Sequence, residues 1–395
     1  MSAPLRIGVA GLGRAFTLMM PTFLQDTRVR LVAACDPMAQ ACAQFERDFH
    51  APSVESIEAL CQRPDVDWVY VATPHQFHAD HVVLAAQHGK HVLVEKPMAI
   101  GLDECNRMVQ ACANAHTALI VGPSHSFNGP VLRAHQLIAS GRYGRVRMIH
   151  ALQYTDFLYR PRRPEELHTD AGGGVIHSQA AHQVDMVRLL GGGLVRSVSA
   201  HSGNWDPTRP TEGAYSALLS FEGGAFASMT YSGYGHFDSD TWMDGINEMG
   251  FVKPSGGHGA ARQRLQSVSD AAQEASLKAQ RNYGGSLWSA PAPDSAPSAH
   301  PHFGPVIIGC EHADLRLTPR GVAIDGDTTQ RFESVPLGHA PRHEVIDEMV
   351  LAHSGQATLH NGRWSRASTA VSLAILQSAR SGESVRPDHQ VAPLA

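Results

Sequence analysis

The stretch LRIGVAGLGRAF, residues 5–16, decides the fold. An apolar, β-branched run reads as a buried strand, and it stops at Gly11-Leu12-Gly13 before a segment of helical character. Glycines there let the chain turn tightly and bring bare backbone up to a pyrophosphate, which faces the positive end of the next helix. The third small position of the usual Gly-x-Gly-x-x-Gly pattern is Phe16. Asp36 closes the second apolar run, VRLVAACDP (29–37). It stands about twenty residues further on, where an acidic residue bonds a ribose 2′-hydroxyl. These features predict a dinucleotide site built from Gly11, Gly13, Arg14, Ala15, Phe16 and Asp36. A carboxylate at 36 repels a 2′-phosphate, and Pro37 and Met38 supply no cation to hold one, so NAD is expected rather than NADP.

Outward from this stretch, strand-like and helix-like segments alternate. DWVYVATP (67–74), HVLVEKPMA (91–99) and TALIVGPSH (117–125) read as buried strands. The residues between them read as helices: Ala41, Phe45 and Phe49 at four-residue spacing, then 78–90 and 102–116. Continuous apolar strands between helices imply a parallel sheet covered on both faces, an α/β Rossmann domain over residues 1–124. From Arg145 the pattern changes to longer alternating runs, VRMIHALQYTDF, VRSVSAHSG and AYSALLSFEGGAFASMTYSG. These predict an open, largely antiparallel sheet with a hairpin at Glu222-Gly223-Gly224 and one strong helix near 175–190. The second domain, α+β, is therefore placed at 125–395 and expected to bind substrate and to oligomerise. Residues 252–300 read as an irregular loop suited to a lid, with APAPDSAPSAH (290–300) structureless by composition. Residues 343–380 read as helical and are expected to return to the first domain.

Composition narrows the function classes. A length of 395 residues fits two domains at roughly 100–200 residues each. The net charge of −5 and the absence of Lys/Arg runs give nucleic acid and membrane surfaces no purchase. The chain enters a strand at once, with no leader-like or membrane-spanning stretch, so a cytoplasmic protein is expected. The six scattered cysteines are expected as reduced thiols. His75, His78 and His81 are spaced as metal ligands could be, but no carboxylate or thiol sits at matching spacing, and no metal is expected.

Glu95-Lys96-Pro97 closes the fourth strand, at the edge of the sheet where open α/β folds bind ligands. A lysine there lies beside a nicotinamide. Burial and a cationic ring both favour its proton-accepting form. On the helix near 175–190, Ser178, His182 and Asp185 stand at i, i+4 and i+7 and are expected to share one face.

AGLGR, Asp36, Thr73-Pro74 with His78, GKHVLVEKP, GGGVIHSQAAHQVDMVRLLGG and the ending NGRWSRASTAVSLAILQSARSGESV together resemble the glucose-fructose oxidoreductase / inositol dehydrogenase (Gfo/Idh/MocA) family. The resemblance implies catalytic roles for Lys96 and His182 and adds Thr73, Pro74, His78, Glu95 and Lys96 to the cofactor site. It places Asp185 and the neighbouring His177 and Ser178 on the substrate side. Ser178 stands where the family's polyol dehydrogenases carry an aspartate, which argues against a sugar or inositol substrate. Intact Lys96 and His182 argue against a non-catalytic nucleotide sensor. Within the family, RIGVAGLGRAF, GPSHSFNGPVLRAHQLI and GYGHFDSD most resemble the bacterial phthalate 4,5-cis-dihydrodiol dehydrogenases. That likeness implies oxidation of a cis-dihydrodiol dicarboxylate to the catechol, with a homodimer or homotetramer as the assembly. A carboxylate needs a cation, and Arg160 or Arg163 in YRPRR is expected to supply it. His125, Phe127 and Asn128, at the exit of the fifth strand, are expected to line the same substrate site.

Overall fold

The computed structural model describes residues 3–289 and 297–394. Residues 290–296, most of the stretch read as structureless, lie outside them. The chain divides into two compact bodies. The first takes in the described parts of 1–123, 275–296 and 338–366, and the second those of 124–274, 297–337 and 367–395.

The first body is a Rossmann fold. Its strands are β1 (Leu5–Ala10), β2 (Val29–Cys35), β3 (Trp68–Val71), β4 (His91–Val94) and β5 (Leu119–Val121). They form one parallel sheet in the order β2-β1-β3-β4-β5. Every residue of β3 is buried, as a parallel sheet with covered faces requires. Helices α1 (Arg14–Gln25), α2 (Ala39–Phe49), α3 (Ile57–Gln62), α4 (His78–Gln87) and α5 (Leu102–Asn114) lie between the strands in sequence. The four-residue spacing in α2 buries Ala41 and Phe45. Phe16 is fully buried too, 6.2 Å from Phe45, 6.1 Å from Phe49 and 5.0 Å from Tyr283, ring centre to ring centre. The expectation that Phe16 serves the cofactor is corrected for its side chain, which fills an aromatic cluster where a smaller residue would leave a void.

The second body carries α6 (Gly129–Ala139), β6 (Val146–Tyr154), α7 (Ala181–Leu190), β7 (Val195–Gly203), β8 (Ala214–Phe221) and β9 (Phe226–Ser232). After α8 (Ala260–Gln266) and the start of α9 (Ala271–Ala279), whose residues from 275 on belong to the first body, it continues with β10 (Val306–Cys310), β11 (Ala313–Thr318), β12 (Gly321–Gly326) and β13 (Gln330–Ser334). The eight strands form one open sheet in the order β13-β12-β11-β10-β6-β9-β8-β7, antiparallel except for the β6–β9 pair. Residues of β8 and β11 alternate between buried and exposed, so one face of the sheet meets the core. The hairpin at 222–224 joins β8 to β9, with Gly224 at φ +85. The segment 252–289 is less irregular than its composition suggests. It holds α8 and α9, and Glu274 of α9 pairs with buried Arg209 through two contacts of 2.8 Å. The C-terminal helical stretch is two helices, α10 (His343–His353), which belongs to the first body, and α11 (Gly362–Ser381). No helix among the described residues is long and apolar enough to cross a membrane.

Within the first body, Asp26 ends α1 and is almost wholly buried. Burial works against its charge, but donors from Arg28 and His339 more than compensate and hold its carboxyl at about 2. Arg28 also reaches Asp347 of α10 at 2.6 Å. A carboxyl depressed from 3.8 to about 2 contributes stability that is present above pH ~4 and lost as pH falls through ~2, about 2 kcal/mol in all. Asp26→Asn is therefore expected to lower the urea-unfolding free energy by about 2 kcal/mol at pH 7, and the deficit to shrink below pH ~4. Equal stability at pH 7 would remove this cluster from the account of the fold.

Candidate active site

In the first body the ends of β1, β2 and β3 meet at the glycine turn. Gly11 adopts φ +94, and a Cβ there would lie 2.9 Å from the Ala72 carbonyl carbon and oxygen. Only glycine fits. Its N–H donates to the Cys35 carbonyl at 2.9 Å, which ties the turn to the end of β2. At Gly13 the space a Cβ would fill is open. Gly13 is the N-cap of α1, with no side-chain cap and no acidic residue in the first turn. The first amides of α1 thus start at an open glycine cradle, the environment a pyrophosphate requires. Asp36 accepts from the Leu12 N–H at 2.7 Å through Oδ2 and from the Met38 N–H at 2.8 Å through Oδ1. Each oxygen keeps lone-pair capacity for a ribose hydroxyl. These residues fit NAD.

The exits of β3 and β4 are tied by a histidine. His78 is buried, its Nε2 2.9 Å from the Thr73 carbonyl and its Nδ1 3.0 Å from the Pro97 carbonyl. Burial is the main force on it and pulls its pKa down to about 4. It was expected among the cofactor-binding residues. The structure instead makes it a tie between the Thr73-Pro74 turn and the Glu95-Lys96-Pro97 turn. Glu95 is likewise turned inward. Its buried carboxylate accepts from the Tyr70 hydroxyl at 2.6 Å, and burial raises its pKa. Between these anchors Lys96 is half-buried at the end of β4. His75, His78 and His81 do not converge as ligands, because His78 faces two carbonyls and His81 Nδ1 meets the Thr73 hydroxyl at 2.9 Å.

The second body gathers His125, His182, Glu248, Arg160 and Phe303. The rings of His125 and His182 stand edge to face at 4.8 Å, and Phe303 lies 5.1 and 5.2 Å from them. Asn128 Nδ2 donates to His125 Nδ1 at 2.9 Å and to the Pro301 carbonyl at 2.7 Å. The Pro301 carbonyl settles the amide's orientation, since an amide oxygen cannot face it. Nδ1 of His125 is therefore an acceptor and Nε2 carries the proton. That Nε2 points to Glu248 Oε1 at 3.7 Å, while Arg160 Nη1 approaches Glu248 Oε2 at 3.6 Å. Asp156 accepts from Arg160 Nε at 2.9 Å. Desolvation opposes the Arg160 charge, and Glu248 and Asp156 outweigh it, so its pKa is raised. Its side chain keeps 43% of its surface accessible, open to a further ligand. His125, His182 and Glu248 also bring one ligand atom each within 4.8 Å of one another, the donor set of a metal site. The proton on His125 Nε2 occupies the lone pair a metal would need.

Several expected substrate residues take other roles. Arg163 pairs with Glu165 at 3.2 Å and Glu166 at 3.5 Å, outside this cluster, so Arg160 is the arginine that joins it. Asn128 orients His125, and Phe127 and His177 are buried beside it in sequence and on the turn before α7. Residues 176–180 form a π-helical turn, so Ser178 stands in that turn while His182 and Asp185 stand three residues apart on α7. Ser178 donates to the Gly174 carbonyl, and Asp185 accepts from Ser126 and, at 2.8 Å, from Ser368. Sequence reasoning missed Glu248 and Phe303. Both come from irregular segments far along the chain, with no periodicity or motif to mark them.

Comparison with known proteins agrees with this layout. Residues 5–123 match the GFO_IDH_MocA model, an oxidoreductase family with an NAD-binding Rossmann fold, and residues 131–245 match the GFO/IDH/MocA C-terminal domain. The chain is 48% identical over 378 residues, 95% of each chain, to the 1-carboxy-3-chloro-3,4-dihydroxycyclohexa-1,5-diene dehydrogenase of Comamonas testosteroni. It is 39% identical to a solved structure from Bordetella bronchiseptica RB50, with a TM-score of 0.91 over 97% of this chain and 100% of that one. The WlbA dehydrogenase from Bordetella pertussis, solved with NADH and UDP-GlcNAcA, shares the fold at 21% identity and a TM-score of 0.67 over 99% of both chains.

Asp36 offers a direct test of the cofactor turn. Asp36→Ala removes the acceptor of the Leu12 and Met38 amides together with the carboxylate expected to bond a ribose hydroxyl. The Kd for NAD, read by calorimetry, is expected to rise about 10–100-fold, the scale of one charged hydrogen bond. An unchanged Kd would rule out its ribose role.

Proposed function

This chain belongs to the GFO/IDH/MocA family of NAD-binding oxidoreductases, and from that premise we propose that it oxidises the cis-dihydrodiol of an aromatic carboxylic acid to the catechol. The observation that carries the reading is the clustering of Arg160 and His125 about Glu248, beside His182 and the ring of Phe303. A ring acid needs that combination of cation, directed donor and aromatic surface. The Comamonas relative is named for a chlorinated ring acid with two adjacent hydroxyls. A phthalate dihydrodiol, with two carboxylates, belongs to the same substrate class.

NAD, when bound, supplies the acceptor for the hydride lost from the carbinol carbon. The chain does the rest. Lys96 takes the hydroxyl proton as the C–H bond breaks, and His182 holds or relays a proton on the diol. The resulting ring ketone then tautomerises: the neighbouring carbinol carbon gives up its proton, the carbonyl oxygen takes one up, and the ring becomes aromatic, which draws the oxidation forward. His78 and Glu95 act earlier, by fixing the backbone on either side of Lys96. Ser178 is engaged with the Gly174 carbonyl, where the family's polyol dehydrogenases carry an aspartate.

Two measurements test this. Purified protein with NAD is expected to turn over a carboxylated cis-dihydrodiol and to leave inositol and glucose untouched. Faster turnover of inositol would sink the substrate class. Lys96→Ala is expected to lower kcat about 10²–10⁴-fold while the Kd for NAD changes only a few-fold. Near-normal kcat would take Lys96 out of the proton transfer.

A further inference from the structure

Phe16 stands where the dinucleotide motif usually has a small residue, and part of the packing around it comes from far along the chain. Tyr283 is buried, its ring 5.0 Å from that of Phe16 and 4.9 Å from that of Trp288. It belongs to residues 280–288, which lie in the first body although strands of the second flank them in sequence. The loop is tied across its ends. The Leu287 N–H donates to the Gln280 carbonyl at 2.9 Å, and the Gly285 N–H to the Asn282 carbonyl at 2.9 Å.

Two sets of contacts carry this loop to the cofactor turn. The Tyr283 N–H donates to the Thr17 hydroxyl oxygen at 3.0 Å, and that hydroxyl donates to the Gly13 carbonyl at 2.9 Å. A hydroxyl that accepts one bond donates the next more strongly. Gly13 is the N-cap of α1 and has no side chain to limit its backbone freedom, so a fixed donor on its carbonyl narrows that freedom. On the other side the loop meets α2. The Tyr283 hydroxyl donates to Asp48 at 2.6 Å, and a Cβ on Gly284, at φ +73, would come within 2.9 Å of the Ala41 Cα. The Ala41 N–H donates to the Met38 carbonyl at 2.9 Å, and the Met38 N–H to Asp36 at 2.8 Å. One loop thus braces both the start of α1 at the glycine cradle and the start of α2 beside Asp36.

We propose that Tyr283 and Thr17 are positioning residues for NAD, through which the loop 280–288 holds the glycine cradle and Asp36 in the arrangement that binds the cofactor. A cradle ordered in advance leaves less ordering for the cofactor to impose. By linkage, bound NAD favours the seated loop by the same factor by which the seated loop favours NAD. The proposal concerns the cofactor alone and holds whatever substrate the protein oxidises.

The test reads binding on the full chain, so that it does not depend on turnover. Thr17→Val keeps the side chain's shape and removes its hydroxyl, whereas Thr17→Ser keeps the hydroxyl. Calorimetry is expected to show a Kd for NAD about 3–10-fold higher in Thr17→Val, the scale of one hydrogen bond, and within about twofold of the wild type in Thr17→Ser. Hydrogen exchange read by mass spectrometry tests the reverse direction. NAD is expected to slow exchange of the 282–288 amides about 3–10-fold in the wild type and less than about twofold in Thr17→Val. If Thr17→Val lowers the thermal-unfolding midpoint of the NAD-free protein, the same two measurements on Gly284→Ala decide, since a Cβ there lifts the loop from Ala41 and leaves the Thr17 hydroxyl in place. An unchanged Kd in the deciding variant overturns the proposal. An equal loss in Thr17→Ser and Thr17→Val also overturns it, because the hydroxyl is then not the cause. So does exchange in 282–288 that NAD leaves unaltered in the wild type.

Discussion

The second body is organised around one buried carboxylate. Asp185, on α7, accepts from Ser126 in the turn that carries His125 and from Ser368 on α11. A carboxylate taken out of water is costly unless it is hydrogen-bonded. With both oxygens engaged, the cost is offset and the bonds are fixed in direction. Ser368 also accepts from Arg188 at 2.8 Å, whose own pKa burial pulls down to about 10. Four side chains thus lock the 125–127 turn against the helix that bears His182. The edge-to-face contact of the two histidines, and the aim of His125 Nε2, follow from that lock.

The first body solves the parallel problem with a neutral ring. His78 spans the exits of β3 and β4 by facing the Thr73 and Pro97 carbonyls, and Glu95 is pinned by Tyr70. Lys96 stands beside two residues whose buried side chains are engaged within the body. In both bodies, then, a buried polar group holds the backbone beside a candidate site residue. Such groups are expensive to leave half-satisfied, which gives the turns one geometry rather than several.

What could be read from the sequence follows from range. The Rossmann half was legible because its signals are local: apolar runs, Gly11 with no room for a Cβ, and Asp36 at a fixed offset. The open sheet was legible from alternation, and the hairpin from Gly223-Gly224. Lys96 was singled out by its place at the end of the fourth strand and His182 by helical spacing, and the catalytic roles expected of them came from family resemblance. The π-helical turn was invisible, since helical periodicity assumes an unbroken register. The helices in 252–289 were hidden by the Ser and Gly around them, although their own residues, Ala, Arg, Gln, Leu and Glu, favour helix, and Glu274 of α9 pairs with Arg209. Glu248 and Phe303 act through contacts spanning more than a hundred residues of sequence, which no local pattern encodes.

The three arginines of YRPRR show why a cation cannot be assigned from its position alone. They are nearly adjacent in sequence, yet each has a separate fate. Arg162 is buried over Phe157, and desolvation pulls its pKa down to about 10. Arg163 is neutralised by two glutamates within three residues of it. Arg160 is steered by Asp156 toward Glu248 and keeps an accessible surface. The difference lies in the partners, not in the arginines. A guanidinium between two carboxylates remains charged, but its pull on a third is the small remainder after the first two.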